Sequence, residues 1–132
     1  MDNKLIFIGT IRTPYKTLEE CPHNIDETGP ICTLEVDAKY AQGLIGLHSG
    51  SNILILYWLN FARRGVDVGY PYISTTHQMC GTFAKRSPHR PNPIGVSKLK
   101  IVSISENSIS VRGLDCLDKT RLLDIKPAIL KE

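Results

Sequence analysis

Arg86, His89, Arg90 and Asn92 are set between Pro88, Pro91 and Pro93 in the stretch GTFAKRSPHRPNPIGVSKLKI, running from Gly81 to Ile101. Each guanidinium can grip a carboxylate or phosphate through two parallel N–H donors, and His89 and Asn92 add directional hydrogen bonds. Proline fixes its own φ and drives the preceding residue into extended conformations, so Ser87, Arg90 and Asn92 are all constrained. A loop that is stiff before its ligand arrives loses less entropy on binding. The pattern predicts a preformed anion-binding site built from Lys85, Arg86, His89, Arg90 and Asn92.

A second stretch, GLDCLDKTRLLDIKP (Gly113 to Pro127), sets Asp115, Asp118 and Asp124 among leucines. A carboxylate there is costly unless it has a partner. One at a strand end can accept from a ligand hydroxyl or amine, or take a proton as a base. Asp115, Asp118, His89 and His77 are the candidate proton acceptors, and the residues alone do not choose among them.

Other chemistries find less support. Cys21, Cys32, Cys80 and Cys116 form no C-x-x-C pair, and Cys21 with His23 lacks structural zinc spacing, so no metal site is predicted. The glycines of GLIGLHSGS do not make a dinucleotide fingerprint, and there is no Walker loop or G-x-S-x-G elbow. Between Val68 and Ser105 there is no carboxylate, whereas Lys85, Arg86, Arg90, Lys98 and Lys100 all fall there. The net charge of +3 is therefore concentrated around the proline loop, where its field attracts an acidic small molecule or a polyanion.

The elements that must position these residues are short strands. Leu5 to Thr13, Ile31 to Val36, Ile53 to Phe61, Met79 to Ala84, Val96 to Ile104, Ser108 to Gly113 and Leu122 to Leu130 are rich in Ile, Val, Leu and Thr. Glu106-Asn107 offers a tight hairpin turn, and DAKYAQGLIGLHSGSN has room for one short helical turn. Many short strands without intervening helices predict an all-β fold, a small mainly antiparallel barrel formed by residues 1–132 as one domain. No apolar run reaches the ~20 residues of a membrane span, and the N-terminus lacks a signal-peptide pattern, so a cytoplasmic protein with reduced thiols is expected.

The signature loop resembles that of the TsaA/TrmO family, which reads roughly G-V-F-A-T-R-S-P-x-R-P-N-P-I-G-L-S. IGTIRTPYK, YAQGLIGLHSGSNILILYWLN and LDCLDKTRLLDIKP are similar to the family's opening, central and closing segments, in that order. The resemblance implies a dimeric antiparallel barrel that binds S-adenosylmethionine without a Rossmann domain. It also implies methyl transfer to N6 of threonylcarbamoyladenosine beside the tRNA anticodon. The positions matching the family's cofactor contacts are Pro22, His23 and Asn24; Ser51 and Asn52; Arg86 and Val96; and Leu114, Asp115, Cys116 and Leu117. His23-Asn24 stands where the family has Arg-Gln, Asn52 where it has His, and Lys119-Thr120-Arg121 where it has Gly-Thr-Pro. These departures keep open two alternatives: methylation of another nucleoside or small molecule, and a non-catalytic module that holds cofactor or RNA. The sequence ends soon after the closing motif, so a single-domain member is expected.

Overall fold

The computed structural model describes residues 1–65 and 79–129, together with the backbone of Tyr72 and Ile73. His77, and Leu130 where the last strand is expected to end, lie outside the described residues. Seven strands form one antiparallel sheet: β1 (Gly9–Arg12), β2 (Ile31–Val36), β3 (Asn52–Trp58), β6 (Ile94–Lys100), β7 (Ser103–Ser105), β8 (Ser108–Arg112) and β9 (Thr120–Pro127). Their order is β6-β3-β9-β1-β2-β8-β7. A separate ribbon pairs β4 (Tyr72–Ile73) with β5 (Met79–Cys80). Among the described residues no helix is long and apolar enough to cross a membrane.

Period-two alternation decides which way each strand faces. Ile53, Ile55 and Tyr57 of β3 turn inward, as do Leu34 and Val36 of β2 and Ile109 and Val111 of β8. With Ile11, Leu99, Ile101, Leu114 and Leu122 they form one continuous core. Each large aliphatic side chain buried in this way contributes about 1.5–3 kcal/mol.

The antiparallel strands are as expected; closure into a barrel is not seen among the described residues. No ladder joins the edge strands β6 and β7. They follow one another in the chain, however, so the sheet's two edges meet at a corner formed by Ile101 and Val102. The Ile101 amide donates to Ser51 O, 2.8 Å, and the Val102 amide to Ser110 O, also 2.8 Å. The strand expected from Val96 to Ile104 is therefore broken at this corner, where the backbone changes partners.

Two other expected elements are shorter. Met79 to Ala84 is extended only over β5, because Thr82–Ala84 is a 3₁₀ turn in which the Ala84 amide bonds back to Gly81 O. The first strand starts at Gly9, where a side chain would collide with the Glu35 carbonyl of β2. The expected helical turn is a 3₁₀ helix over Ala38–Leu44. Glu106-Asn107 does close the β7–β8 hairpin, with Glu106 at a φ of 52° and the Asn107 side chain donating to Val36 O.

Candidate functional site

The ends of β3 and β9 bring separate parts of the chain to one cleft of about 1330 Å³. Opposite Leu56 and Tyr57 the register of β9 skips one residue, so Asp124 faces Leu56 but Leu122 faces Tyr57. Such a bulge re-aims the strand beyond it. Here it sets Arg121 opposite Trp58 at the cleft. The wall continues through Asn60, Phe61 and Arg64 after β3, His89 and Asn92 of the proline loop, and residues 115–121 before and within β9. Phe7, ahead of β1, stacks beneath the Arg121 guanidinium, 4.6 Å from ring centre to cation.

The closing segment is held from both ends. Gly113 has a φ of 85°, and a side chain there would run into the Asp26 backbone. Instead Gly113 O accepts from the Asp26 amide, 2.9 Å, which fixes where Leu114 to Lys119 begins. Beyond it, Thr13 Oγ1 donates to Cys116 O at 2.9 Å, and the Asp118 and Lys119 amides donate to Tyr15 O and Ile11 O.

Two carboxylates on this segment differ sharply. Asp118 is buried and accepts from Arg12 Nε at 3.1 Å, Lys16 Nζ at 2.8 Å and the Thr13 amide at 3.0 Å. Burial alone would raise its pKa; the Lys16 ammonium, the Thr13 N–H and the Arg12 charge outweigh that and hold it below the ordinary aspartate value. Asp115 is half-buried and makes no ion pair with any described Lys or Arg. Burial pushes its pKa up, against the opposing pull of its own backbone N–H and the Tyr57 hydroxyl. Tyr57 Oη lies 3.4 Å from Asp115 Oδ1 and 2.7 Å from Ser97 Oγ. Its ring fits there because Gly95 has no side chain; a Cβ would come within 2.4 Å of the ring.

The proline loop is internally braced. Arg90 Nη1 donates to Lys85 O at 3.0 Å and Ser87 O at 2.8 Å, so this arginine holds the loop's own backbone. The buried Thr82 hydroxyl donates to His89 O, 2.9 Å. His89 Nδ1 accepts from the Arg63 amide, 3.0 Å. A neutral imidazole with an occupied Nδ1 carries its proton on Nε2, so His89 offers the cleft a donor.

The cleft thus unites His89 and Asn92 with Asp115, Cys116, Leu117 and Asp118. Lys85, Arg86 and Arg90 do not line it, although the sequence pattern placed them at its centre: Arg86 is exposed and Arg90 is spent on the loop. Pro22, His23 and Asn24 are exposed and only the adjacent Cys21 reaches the lining. Ser51 and Asn52 sit at the far end of β3, roughly 20 Å along the strand from Trp58. Val96 is exposed on β6, and Leu114 belongs to the core. Burial pushes the Cys116 thiol up to about 12, which leaves it a poor nucleophile. Among the described residues no cluster of His, Cys, Asp and Glu has a metal-binding arrangement.

Trp58, Asn60, Phe61 and Arg64 are among the lining residues that the sequence reading passed over. A lone tryptophan closing an apolar strand, with Arg63-Arg64 a few residues on, was the available signal.

Residues 10–131 match the family described as the tRNA-methyltransferase O N-terminal domain. The chain belongs to this TrmO family. It is 47% identical over 126 residues to a probable S-adenosyl-L-methionine-binding protein, VirR, of Rhizobium radiobacter, covering 96% of this chain and 71% of that protein. A tRNA (adenine(37)-N6)-methyltransferase of Mus musculus is 45% identical over 92 residues, covering 65% of this chain and 20% of that one. The crystal structure of TrmO from Pseudomonas aeruginosa superposes with a TM-score of 0.74 at 26% identity, covering 98% of this chain and 57% of that chain. The chain thus spans little more than half of that solved TrmO. In this TrmO domain the signature loop and the closing segment, far apart in sequence, line one cleft.

Proposed function

We propose that this chain is an S-adenosylmethionine-dependent methyltransferase acting on N6 of threonylcarbamoyladenosine in tRNA, with the cleft as its active site. One observation carries the reading. The cleft holds a carboxylate without a cationic partner among the described residues, Asp115, beside aromatic walls and neutral donors. Its volume exceeds the ~300–1,000 Å³ of an ordinary ligand pocket, which leaves room for a cofactor together with a nucleoside. Trp58, Phe61 and Phe7 suit the adenine ring, Asn60 its polar edge, and an aromatic face also attracts a sulfonium. When bound, S-adenosylmethionine supplies a methyl group on a cationic sulfur. The chain's own residues then align and deprotonate the acceptor. The urea-like N6 is a weak nucleophile until its proton leaves. Asp115 would accept that proton while the cleft walls hold N6 in line with the bound cofactor's methyl group. Asp118, already paired with Arg12, Lys16 and the Thr13 amide, holds the segment in place.

The naming of the Mus musculus relative supports adenine N6 in tRNA as the acceptor. A homodimer belongs to the same proposal. Ile94 and Val96 lie exposed on β6, beside the half-buried Leu54 and Leu56 of β3, and a second copy would cover this stripe. Cytoplasmic location follows from a tRNA substrate.

Nucleoside mass spectrometry of tRNA from a deletion strain tests the reading. Loss of a methylated threonylcarbamoyladenosine, restored by the wild-type gene but not by Asp115→Asn, is expected. An unchanged nucleoside profile would shift the assignment to another acceptor or to a binding module.

A further inference from the structure

Arg64 is fixed from three directions. Its guanidinium stacks on Trp58, 4.9 Å from the ring centre; Nε donates to Pro91 O at 2.7 Å; and Nη2 donates to Asn92 Oδ1 at 3.3 Å. Pro91 and Pro93 bracket Asn92, and Pro93 is fully buried, so the residues that hold Arg64 cannot easily move. Among the described residues Arg64 Nη1 makes no hydrogen bond. Asn92 spends its Oδ1 on Arg64, which leaves Nδ2 with its two N–H groups. Both residues line the cleft.

We propose that Arg64 Nη1 and Asn92 Nδ2 form a carboxylate-binding site, in place of the Arg86 and Arg90 pair that the sequence suggested. One guanidinium nitrogen beside one neutral amide matches a planar, singly charged group; a phosphate dianion would need further cations at the same spot. Because the guanidinium is already immobile, little entropy is lost when a carboxylate docks. The same arrangement explains why the proline loop is stiff. Its rigidity holds the arginine of a neighbouring segment, while Arg90 braces the loop itself. This inference rests on the reading of the cleft as the cofactor and substrate site. Two carboxylates could fill the role: the amino-acid end of S-adenosylmethionine, or an acidic substituent on the acceptor nucleoside.

Calorimetry on the full chain separates these sources. Wild type, Arg64→Ala and Arg64→Lys are titrated with S-adenosylmethionine and with its decarboxylated analogue. Arg64 is exposed, so the variants should keep the wild-type melting temperature. If the cofactor supplies the carboxylate, wild type prefers S-adenosylmethionine by about 10-fold or more, and both variants lose that preference, since lysine lacks the planar fork. If the nucleoside supplies it, cofactor affinity is the same in all three proteins. The variants then raise KM about 10-fold for RNA bearing the carboxylated adenosine, and leave RNA bearing its methyl ester unchanged. Equal treatment of carboxylated and carboxylate-free partners in both experiments overturns the site. Loss of cofactor preference without any methyl transfer to tRNA would uphold the site while removing the tRNA assignment.

Discussion

Asp115 and Asp118 sit on the same short segment and line the same cleft, yet their surroundings give them opposite properties. Asp118 is buried against β1, where Arg12, Lys16 and the Thr13 amide favour its charged form. Asp115 has burial without a cationic partner among the described residues, helped only by its own backbone N–H and a long hydrogen bond from Tyr57. A carboxylate paired with two cations and a backbone N–H can hold a structure but has little capacity to take a proton from a substrate. One that is partly desolvated and lightly bonded is poised to do so. Sequence spacing alone made the two residues equivalent; the β1 end distinguishes them.

The largest effect should come from Asp115→Asn. The side chain keeps its shape and loses its basicity, so methyl transfer under saturating cofactor should fall about 10²- to 10³-fold, without loss of stability in urea unfolding. Loss of stability with activity retained would reverse the two roles. The counterpart, Asp118→Ala, strands the Thr13 amide and leaves two cations without their partner. Its cost should be about 2–3 kcal/mol in urea unfolding, with only a secondary fall in activity.

Tyr57→Phe sharpens the contrast with a smaller change. The ring still fits over Gly95, but the hydroxyl that stabilises ionised Asp115 is gone. Turnover should drop about 10-fold, and the acid limb of the pH–rate profile should move to higher pH because Asp115 then binds its proton more tightly. A lower rate with the limb in its original place would mark Tyr57 as a packing residue. Burial raises the phenol's own pKa, so it stays a donor throughout the working range.

How far the sequence could be read follows from the range of the interactions involved. Alternating Ile and Val residues disclosed the strands because the side-chain period of a strand is a local property. The corner at Ile101–Val102 was hidden, since it depends on which distant strand each amide meets. The proline loop announced its stiffness through Pro88, Pro91 and Pro93, but not its target. Arg90 turns back onto Lys85 O and Ser87 O, while one of the cations the cleft does present is Arg64, brought in by the residues after β3. Likewise, nothing in the order of residues says that Arg12 and Lys16 reach Asp118 across about a hundred positions.

The gentlest test of the comparison uses pH alone. Asp118 has a folded-state pKa below its unfolded value, so its stabilising contribution is complete above the unfolded aspartate value of about 3.9 and is lost as pH falls through the folded one. Asp115 has a raised folded-state pKa. Its contribution is present below the unfolded value and is lost as pH rises through the folded one. Asp118 therefore makes stability rise with pH below about 3.9, and Asp115 makes it fall with pH above that value. Each does so by about 1.4 kcal/mol for every tenfold difference in proton affinity between its folded and unfolded states. Urea midpoints for Asp118→Asn should rise less steeply with pH than those of wild type, and those for Asp115→Asn more steeply. Parallel curves for all three proteins would mean that the two carboxylates share one environment, and the division of labour drawn from their partners would fail.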